Sequence, residues 1–147
     1  MSSSPMHAAL EQARQAGLRQ EVPIGAVLVR GDDVIAAAGN QVLGDHDPTA
    51  HAEMLVIRAA GRALGSERLM GCDLYVTLEP CPMCAQAISF ARIRRLYFGA
   101  YDPKGGGVEH GPAVFNHSTC HHRPEVYGGL EERAASSLLK QFFESRR

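Results

Sequence analysis

Four residues of this chain could act together chemically: His51, Glu53, Cys81 and Cys84. An imidazole nitrogen and two thiolate sulfurs are zinc donors, and zinc with three protein ligands keeps a fourth position for water. Cys81-Pro82-Met83-Cys84 falls where a helix is expected to start. The partial positive charge there favours thiolates, the form that binds metal. Pro82 is tolerated at that place because its missing N–H would be unpaired anyway. Glu53, two residues after the histidine, adds a carboxylate that can take a proton from water and pass it on. Two other uses of the same cysteines stand beside this one. Cys-x-x-Cys can be a redox pair. A fourth ligand from Cys72, Cys120 or a third histidine would make a closed structural site. Neither alternative has a use for Glu53.

The elements that must position these residues follow from periodicity. Met6, Ala9, Leu10, Ala13 and Ala16 recur at helical spacing, which predicts a first helix over 5–20. The apolar runs 22–29 and 34–37 flank Gly31-Asp32-Asp33 and predict a hairpin. Asp47-Pro48 reads as an N-cap with proline at the first helical position. The helix that follows should run to about residue 64, with Leu55, Ala59 and Ala63 on one face and Gly65 ending it. Leu74–Leu78 and Arg95–Gly99 read as strands on either side of a helix from Pro80 to about Ala91. Residues 100–122 form a long Gly-, Pro- and His-rich segment, of a length that usually serves function, with a short helix possible over 108–115. A last strand at 124–128 and a final helix over 130–147, with Leu138, Leu139, Phe142 and Phe143 inward, complete the chain. Strands alternating with helices after a hairpin predict an α/β sandwich with a mixed sheet.

The 147 residues suit a single domain spanning 1–147. No apolar run reaches membrane-spanning length. Residues 1–5 are Ser-rich without a basic-then-apolar leader, and read as a disordered lead-in to a cytoplasmic protein. Four cysteines in such a chain speak for metal chemistry rather than disulfides. A net charge of −1 gives no global attraction to nucleic acid, so any RNA contact must be local.

Asp47-Pro48-Thr49-Ala50-His51-Ala52-Glu53 and Thr77-Leu78-Glu79-Pro80-Cys81-Pro82-Met83-Cys84 resemble the cytidine-deaminase-like superfamily of zinc enzymes. Within it the chain is most similar to the bacterial tRNA-specific adenosine deaminases. The likeness runs from Glu21–Val27 through Gly39-Asn40 and Phe98–Gly106 to Phe142-Phe143, most of the chain. It implies a three-layer α/β/α sandwich around a five-stranded mixed sheet, a homodimer, one Zn2+ per subunit and no organic cofactor. It implies hydrolytic conversion of adenosine to inosine at the wobble position of a tRNA anticodon loop. His51, Cys81 and Cys84 match the family's zinc ligands and Glu53 its acid/base. Asn40 would hydrogen-bond the purine, Val22 and Leu78 would pack around the flipped nucleotide, and Asp102 would lie beside the RNA backbone or ribose. Guanine and cytosine deaminases carry the same two motifs, so a free-base deaminase is the alternative substrate reading. An RNA-binding subunit with structural zinc is the alternative in kind.

Arg92, Arg94, Arg95, Lys104, Arg123, Arg146 and Arg147 are the cations available to RNA, each equally an ordinary solvated charge. The cluster His117, Cys120, His121, His122 could be loop polarity, an RNA contact or a second metal site, and the sequence does not say whether 100–122 closes over its own subunit's site. One geometric tension remains. Residues two apart on an ideal helix point roughly 200° apart. His51 and Glu53 are therefore expected in the first turns of a helix, meeting across the open position of the metal.

Overall fold

The computed structural model describes residues 4–146. The chain runs α1 (Pro5–Leu18), β1 (Gly25–Arg30), β2 (Asp33–Gly39), α2 (Ala52–Leu64), β3 (Cys72–Leu78), α3 (Pro82–Phe90), β4 (Arg95–Ala100), a 3-10 turn (Val114–Asn116), β5 (Glu125–Tyr127) and α4 (Glu132–Glu144). The sheet order is β2-β1-β3-β4-β5. β1 pairs antiparallel with both β2 and β3, whereas β3–β4 and β4–β5 are parallel. This is the expected mixed five-stranded α/β/α sandwich.

Alternation along the central strands separates two apolar layers. Ala26, Leu28, Leu74, Val76, Leu96 and Phe98 pack towards α2 and α3. Val27 and Val29 pack with Met6, Ala9 and Leu10 of α1 and Ala135 of α4 on the other side. Period-two alternation on strands covered on both faces accounts for runs that read as continuously apolar. α1 lies close on the hairpin because Gly25 and Gly39, partners in register, have no Cβ. A Cβ at either would run into a backbone carbonyl of α1. No described helix is long and apolar enough to cross a membrane.

Several boundaries differ from the sequence expectation. Ser4 accepts a hydrogen bond from Met6 N–H and Pro5 begins α1, so these two are a helix start rather than lead-in. Met1–Ser3 lie outside the described residues, as does Arg147. α2 begins at Ala52, not at Asp47-Pro48. Asp47 spends its carboxylate on the N–H and hydroxyl of Thr49, at 2.8 and 2.7 Å, and so closes a turn ahead of the helix. The inward face of α2 is Ala52, Glu53, Val56 and Ala60, not Leu55, Ala59 and Ala63. Of residues 108–115, only Val114 and Phe115 enter the 3-10 turn; no helix spans the segment. Phe143 is exposed, because α4 lies on the outside of the sandwich and is buried only through Ala135, with Leu138 and Leu139 partly covered.

Candidate metal centre and substrate cavity

Two helix starts bring the site together. His51 is the N-cap of α2, with φ −72° and ψ 151°, and Cys81 is the N-cap of α3, with φ −71° and ψ 171°. Both residues are extended, and neither side chain caps its own helix. The imidazole and the thiol are therefore free for other partners. The first N–H of α2 is satisfied from elsewhere: Ala52 N–H donates to Asn40 Oδ1 at 2.8 Å. Pro82 takes the first position of α3, and Cys84, the third residue of the helix, is fully buried.

His51 Nδ1 stands 3.6 Å from Cys81 Sγ and 3.5 Å from Cys84 Sγ, and the three donor atoms lie within 4.8 Å of one another. A tetrahedral centre with Zn–S near 2.3 Å and Zn–N near 2.0–2.1 Å requires an S···N separation of about 3.6 Å. The donor set and its spacing fit zinc. Among the described residues no other group of three His, Cys, Asp or Glu side chains gathers in this way. The hydrogen bond from Cys84, aided by His51, lowers the Cys81 thiol to about 4, while the same contact and burial push Cys84 up. His51 is raised by its contact with Cys81.

Glu53 is in the first turn of α2 on its inward face, 4% exposed. Burial raises its carboxyl to about 7. The expected opposition between His51 and Glu53 does not arise, because His51 precedes the helix and its extended backbone turns the imidazole towards the cysteines.

A cavity of about 510 Å³ opens beside His51, with Val22, Ile24 and Asn40 in its wall and Phe142 and Arg146 of the α4 end at its rim. A shallow depression of similar size over Ile57, Arg58 and Arg62 of α2 contains none of these groups. Val22 and Asn40 thus stand with His51. Asn40 is buried, its Oδ1 is taken by α2, and its own N–H donates to Ile24 O. Leu78 is half-buried and packs against the α1/α4 layer instead. Asp102 turns its carboxylate onto Lys104 N–H and Gly105 N–H.

Of the cations proposed for RNA, Arg94 grips Asp73 through two bonds of 3.0 and 2.9 Å, and Arg95 pairs with Glu125 at 2.9 Å. Arg146 stacks over Phe142, 3.9 Å from the ring centroid, and donates to Gln20 O. Lys104 and Arg123 are exposed. The His117–His122 cluster does not converge. His122 Nε2 donates to Ile93 O at 2.7 Å, and Ser89 ties Cys120 and His122 to α3.

Two buried carboxylates were not singled out from the sequence. Glu21 accepts from Leu43 N–H and Gly44 N–H, holding the loop that carries Asn40 to α2. Glu79, 2% exposed, accepts from Asp102, Val108, Glu109 and His110 N–H and from the His110 ring. Both belong to stretches that carry the resemblance, but nothing local in the sequence marks either as a buried acceptor of loop N–H groups.

Residues 2–100 match the cytidine and deoxycytidylate deaminase zinc-binding region. The tRNA-specific adenosine deaminase of Agrobacterium fabrum is 62% identical over 142 residues, 97% of this chain and 93% of that protein. A structure from a study of A-to-I editing by tRNA:A34 deaminases at the wobble position of transfer RNA is also 62% identical. It superimposes with a TM-score of 0.91 over 92% of this chain and 98% of that one. A guanine deaminase from Nitrosomonas europaea reaches a TM-score of 0.81 over 97% of this chain and 85% of its own, at 24% identity, a likeness of fold alone.

Proposed function

Because the chain belongs to the zinc-binding cytidine and deoxycytidylate deaminase family, we propose that it hydrolyses adenosine to inosine at the wobble position of a tRNA anticodon loop. The observation that carries the chemistry is the convergence of His51, Cys81 and Cys84 at two helix starts, with Glu53 buried in the first turn of α2 and His51 reaching a cavity. Identity of 62% across 97% of the chain with a tRNA-specific enzyme supports the substrate.

His51 Nδ1 and the two cysteine sulfurs hold the zinc. When bound, zinc supplies an activated water at neutral pH and a Lewis acid. Glu53 is the proton carrier. It takes a proton from the attacking water and returns protons to the ring nitrogen and to the departing amine, so that water and adenosine leave as inosine and ammonia. Burial, which raises this carboxyl above its ordinary value, favours a group that can both take and return a proton. Asn40, its oxygen fixed by Ala52 N–H, presents its amide NH2 to the purine, and Val22 packs on the base. Leu78 and Asp102, like Glu53, Cys81 and Cys84, are outside the lining of this cavity; Leu78 packs around the flipped nucleotide from the end of β3, and Asp102 lies beside the RNA backbone or ribose. Phe142 and Arg146 of the α4 end line the same cavity and offer an aromatic ring and a cation to the nucleotide.

The protein acts as one domain and as a homodimer, with exposed Phe90 and Met70 as apolar side chains for a second copy to cover. Its place is the cytoplasm, where tRNA is processed. The zinc-loaded protein should form inosine at the wobble position when incubated with its own tRNA pool, and should leave free guanine unchanged. Guanine turnover without tRNA editing would overturn the assignment.

A further inference from the structure

Glu79 is a buried charge that the deamination chemistry does not use. It follows the last residue of β3, just ahead of Pro80 and Cys81, and its side chain has no exposed surface. Leaving a carboxylate there without partners would be costly. Oε2 accepts from three successive backbone N–H groups, Val108 at 3.2 Å, Glu109 at 2.9 Å and His110 at 3.0 Å. Such a run of N–H groups forms an anion-binding nest, and here the anion comes from within the chain. Oε1 accepts from Asp102 N–H at 3.0 Å and from His110 Nδ1 at 2.8 Å. The loop thus closes around one side chain.

The same loop rests on the start of α3. Gly107 N–H donates to Pro80 O at 2.8 Å. A Cβ on Gly107 would strike the backbone of Cys81 and Pro82, and one on Gly106 would strike the Glu79 carboxylate. Apolar burial holds little of this segment, because Val108 is its one buried large side chain. Hydrogen bonds to an ionised acceptor are the stronger kind, and they replace the missing core. Tyr101, just ahead of the loop, is 41% exposed and stands edge-on to Phe98 and to His110, and the loop itself carries the exposed cation Lys104. An aromatic ring and a cation at a loop that rests against the start of α3 through Gly107 match the base and phosphate of a polynucleotide.

We propose that Glu79 is a positioning residue for RNA: its carboxylate locks the Asp102–His110 loop against the start of α3 so that Tyr101 and Lys104 meet the substrate strand. This rests on the RNA substrate assigned above. In Glu79→Gln the single amide oxygen suits the three-donor nest, and the NH2 then faces Asp102 N–H. Amide hydrogen exchange over 101–106 should accelerate on the order of tenfold, with one zinc per chain retained. KM for tRNA should rise on the order of tenfold while kcat stays within about twofold. His110→Ala removes one of the five bonds and should shift KM the same way by less, which keeps the proposal testable if Glu79→Gln fails to fold. Unchanged KM in both variants, or loss of zinc and kcat at unchanged KM, would overturn it. Absence of tRNA turnover by the unaltered protein would instead sink the assigned substrate, and the exchange measurement would still decide whether Glu79 holds the loop.

Discussion

Two glutamates are buried close to the metal ligands in sequence, and their surroundings are opposite. Glu53, two residues after His51, sits on the inward face of α2, and burial raises it to about 7. Glu79, two residues before Cys81, would also be raised by burial, but hydrogen bonds from Asp102, His110 and Glu109 outweigh this and hold its carboxyl below the usual range. The difference teaches what burial alone does not decide. A buried carboxylate poor in donors becomes a group that exchanges a proton at neutral pH. One surrounded by N–H groups stays an anion and organises backbone.

The comparison breaks most visibly through stability. Glu79→Ala leaves four backbone N–H groups without their acceptor and should cost on the order of 3–5 kcal/mol in urea denaturation. Acid should erase part of that difference. The folded pKa of Glu79 is depressed, so its stabilising share is fully present above the unfolded value of 4.5 and is lost as pH falls through the lowered value. The stability gap between the unaltered protein and Glu79→Gln should therefore be constant above the unfolded value of 4.5 and narrow as pH falls from 4.5 towards 3. A constant gap across that range would mean that the ionised form is not what the loop binds. A smaller effect should come from the His51 side. Asn40→Ala removes the acceptor from Ala52 N–H and should cost about 1 kcal/mol, with weaker zinc retention because the cap that aims His51 loosens. Equal zinc retention under chelator challenge would show that His51 is held without Asn40.

The donor set His51, Cys81 and Cys84 was legible in the sequence because residue type and spacing mark it, and the structure brings the three donor atoms within 4.8 Å of one another. The layer order was legible because strand and helix periods alternate cleanly from Leu74 onward. The start of α2 was not. Asp47-Pro48 has the local form of a helix start, but Asp47 closes a turn on Thr49. The donor at the true start is paired by Asn40, twelve residues upstream. Glu79 was equally hidden, since its partners are backbone groups 23 to 31 residues later, which carry no side-chain pattern. Which face of α2 turns inward was not legible either: Ala52, Glu53, Val56 and Ala60 are buried in place of Leu55, Ala59 and Ala63, because packing on the sheet and not the local apolar pattern sets the helix phase. Local patterns gave the chemistry, and nonlocal backbone pairing gave its placement.

The central claim is that Glu53 moves the proton and does not hold the metal. Zinc content and single-turnover inosine formation on tRNA, measured together for the unaltered protein and Glu53→Ala, test it directly. The account predicts one zinc per chain in both, with inosine formed only by the unaltered protein. Inosine formed by Glu53→Ala at an undiminished rate, or loss of its zinc, would contradict it.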